Sequence, residues 1–153
     1  MDTLDHERPS WDEYYMDIAK VVSTRSPITT TKVGAVLVGS NNTIISTGYN
    51  GRPSGVPHFR INPEDELKEC HAEMNAVCFA ARHGISTEGS TLYTTVVPCI
   101  HCARVLVQAG VRRVVTLSNN VKTKKIGNLY SGSGLEMLQE GGVAMFELKT
   151  EEI

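Results

Sequence analysis

His71-Ala72-Glu73, followed after a strand-sized gap by Pro98-Cys99-Ile100-His101-Cys102, is the stretch around which this sequence organises itself. His71, Cys99 and Cys102 form a one-histidine, two-thiolate set suited to zinc. Three protein ligands leave the fourth tetrahedral position open for water, the mark of a catalytic rather than a structural ion. Glu73 stands two residues past the histidine, where it can reach the open position without being a ligand. A structural site needs a fourth ligand. The nearest candidate is Cys70, and adjacent residues at a helix start seldom point at one ion. Cys-x-x-Cys alone says little, but the upstream His-x-Glu and the preceding proline make the combination specific.

Working outward, both halves of this set fall where helices begin. After Glu73, the residues Met74, Val77, Cys78 and Ala81 form a helical stripe that Gly84 ends. Cys102, Val105, Leu106 and Ala109 line a second helix, opened by Pro98-Cys99 and stopped at Gly110. Proline suits such an entry because its missing N–H is not needed there. Two helix N-termini aimed at one place favour thiolates and bound anions.

Upstream, Ser10-Trp11-Asp12-Glu13 reads as a capping box, with Trp11, Tyr15, Ile18, Ala19 and Val22 on one face of a helix running to about Ser23. Segments 33–38 and 43–47 are β-rich and joined by Gly39-Ser40-Asn41-Asn42, an antiparallel hairpin. Residues 48–69 read as one long loop. Segments 91–97, 111–117 and 143–148 read as strands, with a short helix around Leu135 to Gln139. A hairpin followed by strands alternating with helices predicts an α/β fold with a mixed five-stranded sheet and helices on its faces.

At 153 residues, 41% hydrophobic and 21% charged, the chain reads as a single domain spanning 1–153. A domain of that size buries roughly 68–70% of its unfolded surface. No apolar run is long enough to span a bilayer. The acidic opening Met1-Asp2-Thr3-Leu4-Asp5-His6-Glu7 does not resemble a secretory signal. The spacing of Cys70, Cys78, Cys99 and Cys102 suits a metal site in a reducing compartment, so a cytoplasmic location is expected, with Cys70 and Cys78 in the core. A net charge of −2 and a pI near 6.2 give no general attraction to a polynucleotide backbone.

These residues resemble the cytidine deaminase superfamily and, within it, the deoxycytidylate (dCMP) deaminases. His-x-Glu with Pro-Cys-x-x-Cys is shared by zinc-dependent nucleobase deaminases at large. The narrower likeness rests on Trp11-Asp12-Glu13-Tyr14-Tyr15-Met16, on Val33-Gly34-Ala35-Val36 and above all on Ser46-Thr47-Gly48-Tyr49-Asn50-Gly51-Arg52-Pro53. The resemblance implies a three-layer, cytidine-deaminase-like fold. It further implies hydrolytic deamination of dCMP to dUMP with release of ammonia, feeding thymidylate synthesis. Zinc would be held by His71, Cys99 and Cys102, with Glu73 as proton shuttle. Asn50 would bind the sugar 3′-hydroxyl, the Ala72 N–H the 2-oxo group of the base, and the Val97 carbonyl the exocyclic amine. The loop Gly48, Tyr49, Gly51 and Arg52 would serve regulation by dCTP and dTTP, with Mg²⁺ accompanying a regulatory triphosphate. A homo-oligomer, hexamer or dimer, is implied as well.

Many such relatives carry two further cysteines for a second, structural zinc. Here those stretches read Ser26-Pro27-Ile28-Thr29 and Pro57-His58-Phe59-Arg60, so one zinc per chain is expected. Asn50 fits two readings, substrate contact and turn geometry. Arg25, Lys32, Arg52 and Arg60 are candidates for the phosphate, each weighed against a plain surface charge. His58 is open. His83 and His101 read as exposed helix residues, and Lys122-Thr123-Lys124-Lys125 as a solvated loop. Competing functions are a deaminase of dCTP, 5-substituted dCMP, cytidine or guanine, and a non-catalytic nucleotide-sensing zinc protein that has no need of Glu73.

Overall fold

A computed structural model of the chain describes residues 7–57, 67–117 and 130–149, with residues 130–133 traced as backbone only. His58, Arg60, Ser118-Asn119-Asn120-Val121 and the lysine run at 122–125 lie outside the described residues. Among the described residues nine elements follow one another: α1 (Trp11–Ser23), β1 (Gly34–Val38), β2 (Ile44–Tyr49), α2 (Ala72–Arg82), β3 (Thr91–Thr94), α3 (Ile100–Gln108), β4 (Arg113–Leu117), α4 (Tyr130–Glu140) and β5 (Ala144–Leu148). The five-stranded sheet has the order β2-β1-β3-β4-β5. β1 pairs antiparallel with β2 and β3, whereas β3–β4 and β4–β5 are parallel. The expected mixed sheet is thus present.

Period-two alternation divides the core into two layers. Ala35, Leu37, Leu92 and Val114 pack with Ala72, Ala76, Ala80, Ala103, Leu106 and Leu138, which come from α2, α3 and α4. Val36, Val38, Tyr93 and Val115 point the other way and meet Tyr15, Met16 and Ala19 of α1. The result is helix, sheet, helices: three layers.

α1 begins as its sequence dictates, the Ser10 hydroxyl accepting from the Glu13 N–H at 3.1 Å. Its buried stripe is turned from the one expected. Met16 is buried and Trp11 is 54% exposed, because the sheet contact centres on Tyr15, Met16 and Ala19. Trp11 instead stacks on Tyr15, with ring centroids 5.7 Å apart. Arg113 of β4 clamps this layer with two hydrogen bonds to Asp12, 2.8 and 2.5 Å, and Tyr93 donates to the same carboxylate at 2.7 Å. The Arg113 guanidinium also lies 4.4 Å over the Phe146 ring.

Three of the boundaries that differ from expectation bear on the site. β2 continues through Gly48 and Tyr49, which pair with Ala35 and Gly34, so the long connection begins only at Asn50. β3 ends at Thr94 rather than Val97. Thr95 turns its N–H to the Gly34 carbonyl at 3.1 Å and its hydroxyl to the Gly34 N–H at 3.2 Å, and the chain then leaves the ladder toward Pro98. α4 begins five residues before Leu135, through the Gly-rich run 130–134 that propensity disfavours. Gly84 and Gly110 close α2 and α3 in the left-handed region, φ 68° and 81°.

Candidate active site

His71 and Cys99 are the N-cap residues of α2 and α3, and neither side chain caps its own helix. Cap positions favour Ser, Thr, Asp or Asn, whose oxygens satisfy the first amides. A histidine and a cysteine there give up that bond and present their donor atoms elsewhere. His71 Nδ1 lies 3.4 Å from Cys99 Sγ and 3.4 Å from Cys102 Sγ, and the three donor atoms fall within 4.8 Å of one another. In tetrahedral zinc coordination the nitrogen and sulfur ligands stand about 3.6 Å apart. The donors present therefore fit zinc in both type and spacing. His71 is exposed, Cys99 half-buried and Cys102 buried, so the set opens toward solvent on the histidine side.

The charge state of the three is coupled. Cys99 is pulled down to about 3, first by the hydrogen bond with Cys102 and then by that with His71. Cys102 is pushed up by the same bond seen from its other end, and by burial. Both shifts describe one proton kept on Cys102, which leaves Cys99 a thiolate. His71 is raised above its ordinary value, chiefly by its hydrogen bond to Cys99. A thiolate beside an imidazole at two helix N-termini is an environment suited to binding a metal in exchange for protons.

Glu73 lies in the first turn of α2 and is only 2% exposed. Its Oε1 accepts from the Thr94 hydroxyl at 3.0 Å. Burial pushes this carboxyl up, against the lowering effect of its own backbone N–H, His71, Thr94 and Cys102. Ala72 is the first helical residue of α2, so its N–H has no carbonyl one turn back within the helix. Val97 lies past the end of β3, outside its ladder.

Two glycines seat the ligand-bearing turns. A Cβ on Gly48 of β2 would meet the Ala72 carbonyl oxygen and the Ala76 nitrogen, and one on Gly134 of α4 would meet the Pro98 carbonyl oxygen and the Cys99 carbonyl carbon. Only glycine permits both approaches. Around Gly48, Ser46 donates to the Ala76 carbonyl at 2.6 Å and Asn75 donates to the Tyr49 carbonyl at 2.8 Å. The Ser46–Tyr49 strand thus holds the N-terminal end of α2 and, with it, His71.

Asn50 is tied to backbone. Its Oδ1 accepts from the Val33 N–H at 2.8 Å, its Nδ2 donates to the Thr31 carbonyl at 2.8 Å, and its own carbonyl accepts from Ser26 at 2.8 Å. One donor and one lone pair of the amide remain. Among the phosphate candidates, Lys32 donates to the Ser26 carbonyl at 2.8 Å, Arg25 is exposed and Arg52 half-buried. His83 and His101 are exposed as expected, and His101 meets Arg104 at 2.8 Å. Cys70 is half-buried and Cys78 exposed, which corrects the core assignment: the stripe of α2 that faces the sheet is Ala72, Ala76 and Ala80. Thr94, Gly134 and the seating role of Gly48 were not read from the sequence. Only the strand alternation, which puts Thr94 on the face of Leu92, carried a signal for any of them.

The model of the family described as "Cytidine and deoxycytidylate deaminase zinc-binding region" matches residues 9–118. Human deoxycytidylate deaminase is 35% identical over 118 residues, 71% of this chain and 65% of that protein. The chain thus spans about two-thirds of the length of the vertebrate relatives it matches. ComE operon protein 2 of Bacillus subtilis is 30% identical across 96% of this chain and 76% of its own. Among solved structures, dCMP deaminase of cyanophage S-TIM5 in complex with dCMP and dUMP aligns with a TM-score of 0.74 and 32% identity, covering 94% of this chain and 98% of that one.

Proposed function

The chain belongs to the cytidine and deoxycytidylate deaminase family, and from that premise we propose that it hydrolyses dCMP to dUMP and ammonia, feeding thymidylate synthesis. The observation that carries the reading is one arrangement: His71, Cys99 and Cys102 converge beside the buried carboxyl of Glu73. Zinc held by these three residues would supply an activated water. Glu73 would take a proton from that water, pass it to ring N3, and then carry one to the departing amine. Water adds at C4 and ammonia leaves, so the reaction balances without an oxidant or reductant. A positioned carboxyl shuttle contributes typically about 10²–10⁴-fold.

Recognition is assigned to the remaining residues. The Ala72 N–H serves the 2-oxo group and the Val97 carbonyl the exocyclic amine. Asn50, already fixed to Thr31 and Val33, offers its second donor and lone pair to the 3′-hydroxyl. Gly48, Tyr49, Gly51 and Arg52 form the regulatory loop for dCTP and dTTP, with Mg²⁺ on the triphosphate. In this reading the protein is a single-domain, one-zinc homo-oligomer of the cytoplasm. No described helix is long and apolar enough to cross a membrane.

The deciding experiment measures ammonia release from dCMP, deoxycytidine, dCTP, cytidine and guanine with zinc-loaded protein. dCMP is expected to be the preferred substrate by a wide margin. Equal rates on dCMP and deoxycytidine would remove the phosphate site and leave only a deaminase of the cytidine type.

A further inference from the structure

Thr94 ends β3, the middle strand of the sheet, with Ala35 on one side of it and Thr116 on the other. It is fully buried, and the alternation that turns Tyr93 toward α1 turns Thr94 toward α2. A β-branched side chain is stiff at χ1, so its hydroxyl direction is set by the sheet. That hydroxyl donates to Glu73 Oε1 at 3.0 Å. The terminal torsion of a glutamate is soft and roughly two-fold; beside the Glu73 N–H and Cys102, which also act on the carboxyl, the bond from Thr94 is the one that ties a named oxygen, Oε1, to the sheet.

We propose that Thr94 is the positioning residue for Glu73: it ties Oε1 to the sheet and leaves Oε2 as the oxygen that carries the shuttled proton. The inference rests on the deaminase reading of the site and deepens it. Thr116 supplies an internal comparison. It is equally buried, in register with Thr94 and on the same face, yet its hydroxyl has no hydrogen-bond partner among the described residues. Burying a threonine in this layer therefore does not by itself create the contact that Thr94 makes.

The test compares Thr94→Val, Thr94→Ser and Thr116→Val in zinc-loaded protein. Thr94→Val is expected to lower kcat for dCMP about tenfold or more, with KM within about twofold and zinc content unchanged, because misplacing a catalytic group costs turnover rather than binding. Thr94→Ser should recover most of the loss, and Thr116→Val should show none. Independently of turnover, the ¹³C resonance of the Glu73 carboxyl, assigned by its disappearance in Glu73→Gln, should shift in Thr94→Val and stay in place in Thr116→Val. An unmoved resonance overturns the proposal, as does a kcat loss that tracks lost zinc or that serine fails to recover. Wild-type protein inactive on every cytosine nucleotide would sink the deaminase reading, while the resonance would still decide whether Thr94 holds Glu73.

Discussion

Gly134 packs so closely on the Pro98 carbonyl oxygen that a single methyl group at its Cα would overlap that oxygen. In an exposed helix, Gly→Ala gains about 1 kcal/mol. Here the obstacle is backbone that carries a metal ligand one residue later, and overpacking of this kind costs about 1–3 kcal/mol. Gly134→Ala is therefore expected to lower stability in urea and to release zinc at lower chelator concentration. Unchanged zinc retention would show that α4 moves aside without disturbing Cys99.

Gly48→Ala should act on the other half of the site, displacing the first turn of α2 and His71. Gly34 provides the comparison, since a Cβ there would meet Ala19 and Ser23 of α1 on the opposite face of the sheet. Gly34→Ala should destabilise the fold by a similar 1–3 kcal/mol or so without selectively loosening zinc. Chelator titrations of the two variants, set against their urea midpoints, separate the cases.

Thr116→Val removes a buried hydroxyl that has no partner among the described residues and replaces it with a methyl group of nearly the same shape. Leaving such a group unsatisfied costs about 1–3 kcal/mol, so the variant should be more stable than wild type by about 1 kcal/mol. A fall in the urea midpoint would mean that the hydroxyl is satisfied in solution.

Asp12 is held below its ordinary value of 3.8, chiefly by its hydrogen bonds with Arg113. The folded state thus favours the ionised carboxylate. The stability this contributes is complete above 3.8 and is lost as pH falls through the lower folded value. Asp12→Asn should cost about 1–2 kcal/mol at pH 7, reduced by the partial exposure of the pair. The difference from wild type should shrink as pH drops below 3.8, followed by urea denaturation at several pH values.

Glu73→Gln should keep zinc and fold and lose about 10²–10⁴-fold in turnover, since an amide cannot shuttle protons. Metal analysis of the wild type is expected to give one zinc per chain. A reproducible second zinc would overturn the reading drawn from the missing cysteines.

The sequence made the chemistry legible because the chemistry is local. His71, Glu73, Cys99 and Cys102 lie at fixed spacing from helix starts, and spacing survives in one dimension. Helix and strand identity followed from periodicity for the same reason. What sequence could not carry was anything set by two distant segments meeting. Gly134 reads as a poor helix residue until Pro98 is seen against it. Thr94 reads as ordinary strand until Glu73 is placed above it. Gly48 and Tyr49 look like loop because glycine disfavours strands, yet pairing with Gly34 and Ala35 keeps them in β2. Asp12 and Arg113, far apart in the chain, look like two surface charges.

Immediately before His71, Cys70 and Gly51 exchange backbone hydrogen bonds of 2.7 and 3.1 Å. The chain that leaves at Gly51 therefore returns to the same place before the first ligand is reached. Its length is uncoupled from the position of His71. Doubling the length of chain closed in this way adds only about 0.6 kcal/mol of closure entropy, so lengthening the connection between Arg52 and Cys70, whether by a peptide tag or a reporter module, is expected to leave zinc retention unchanged.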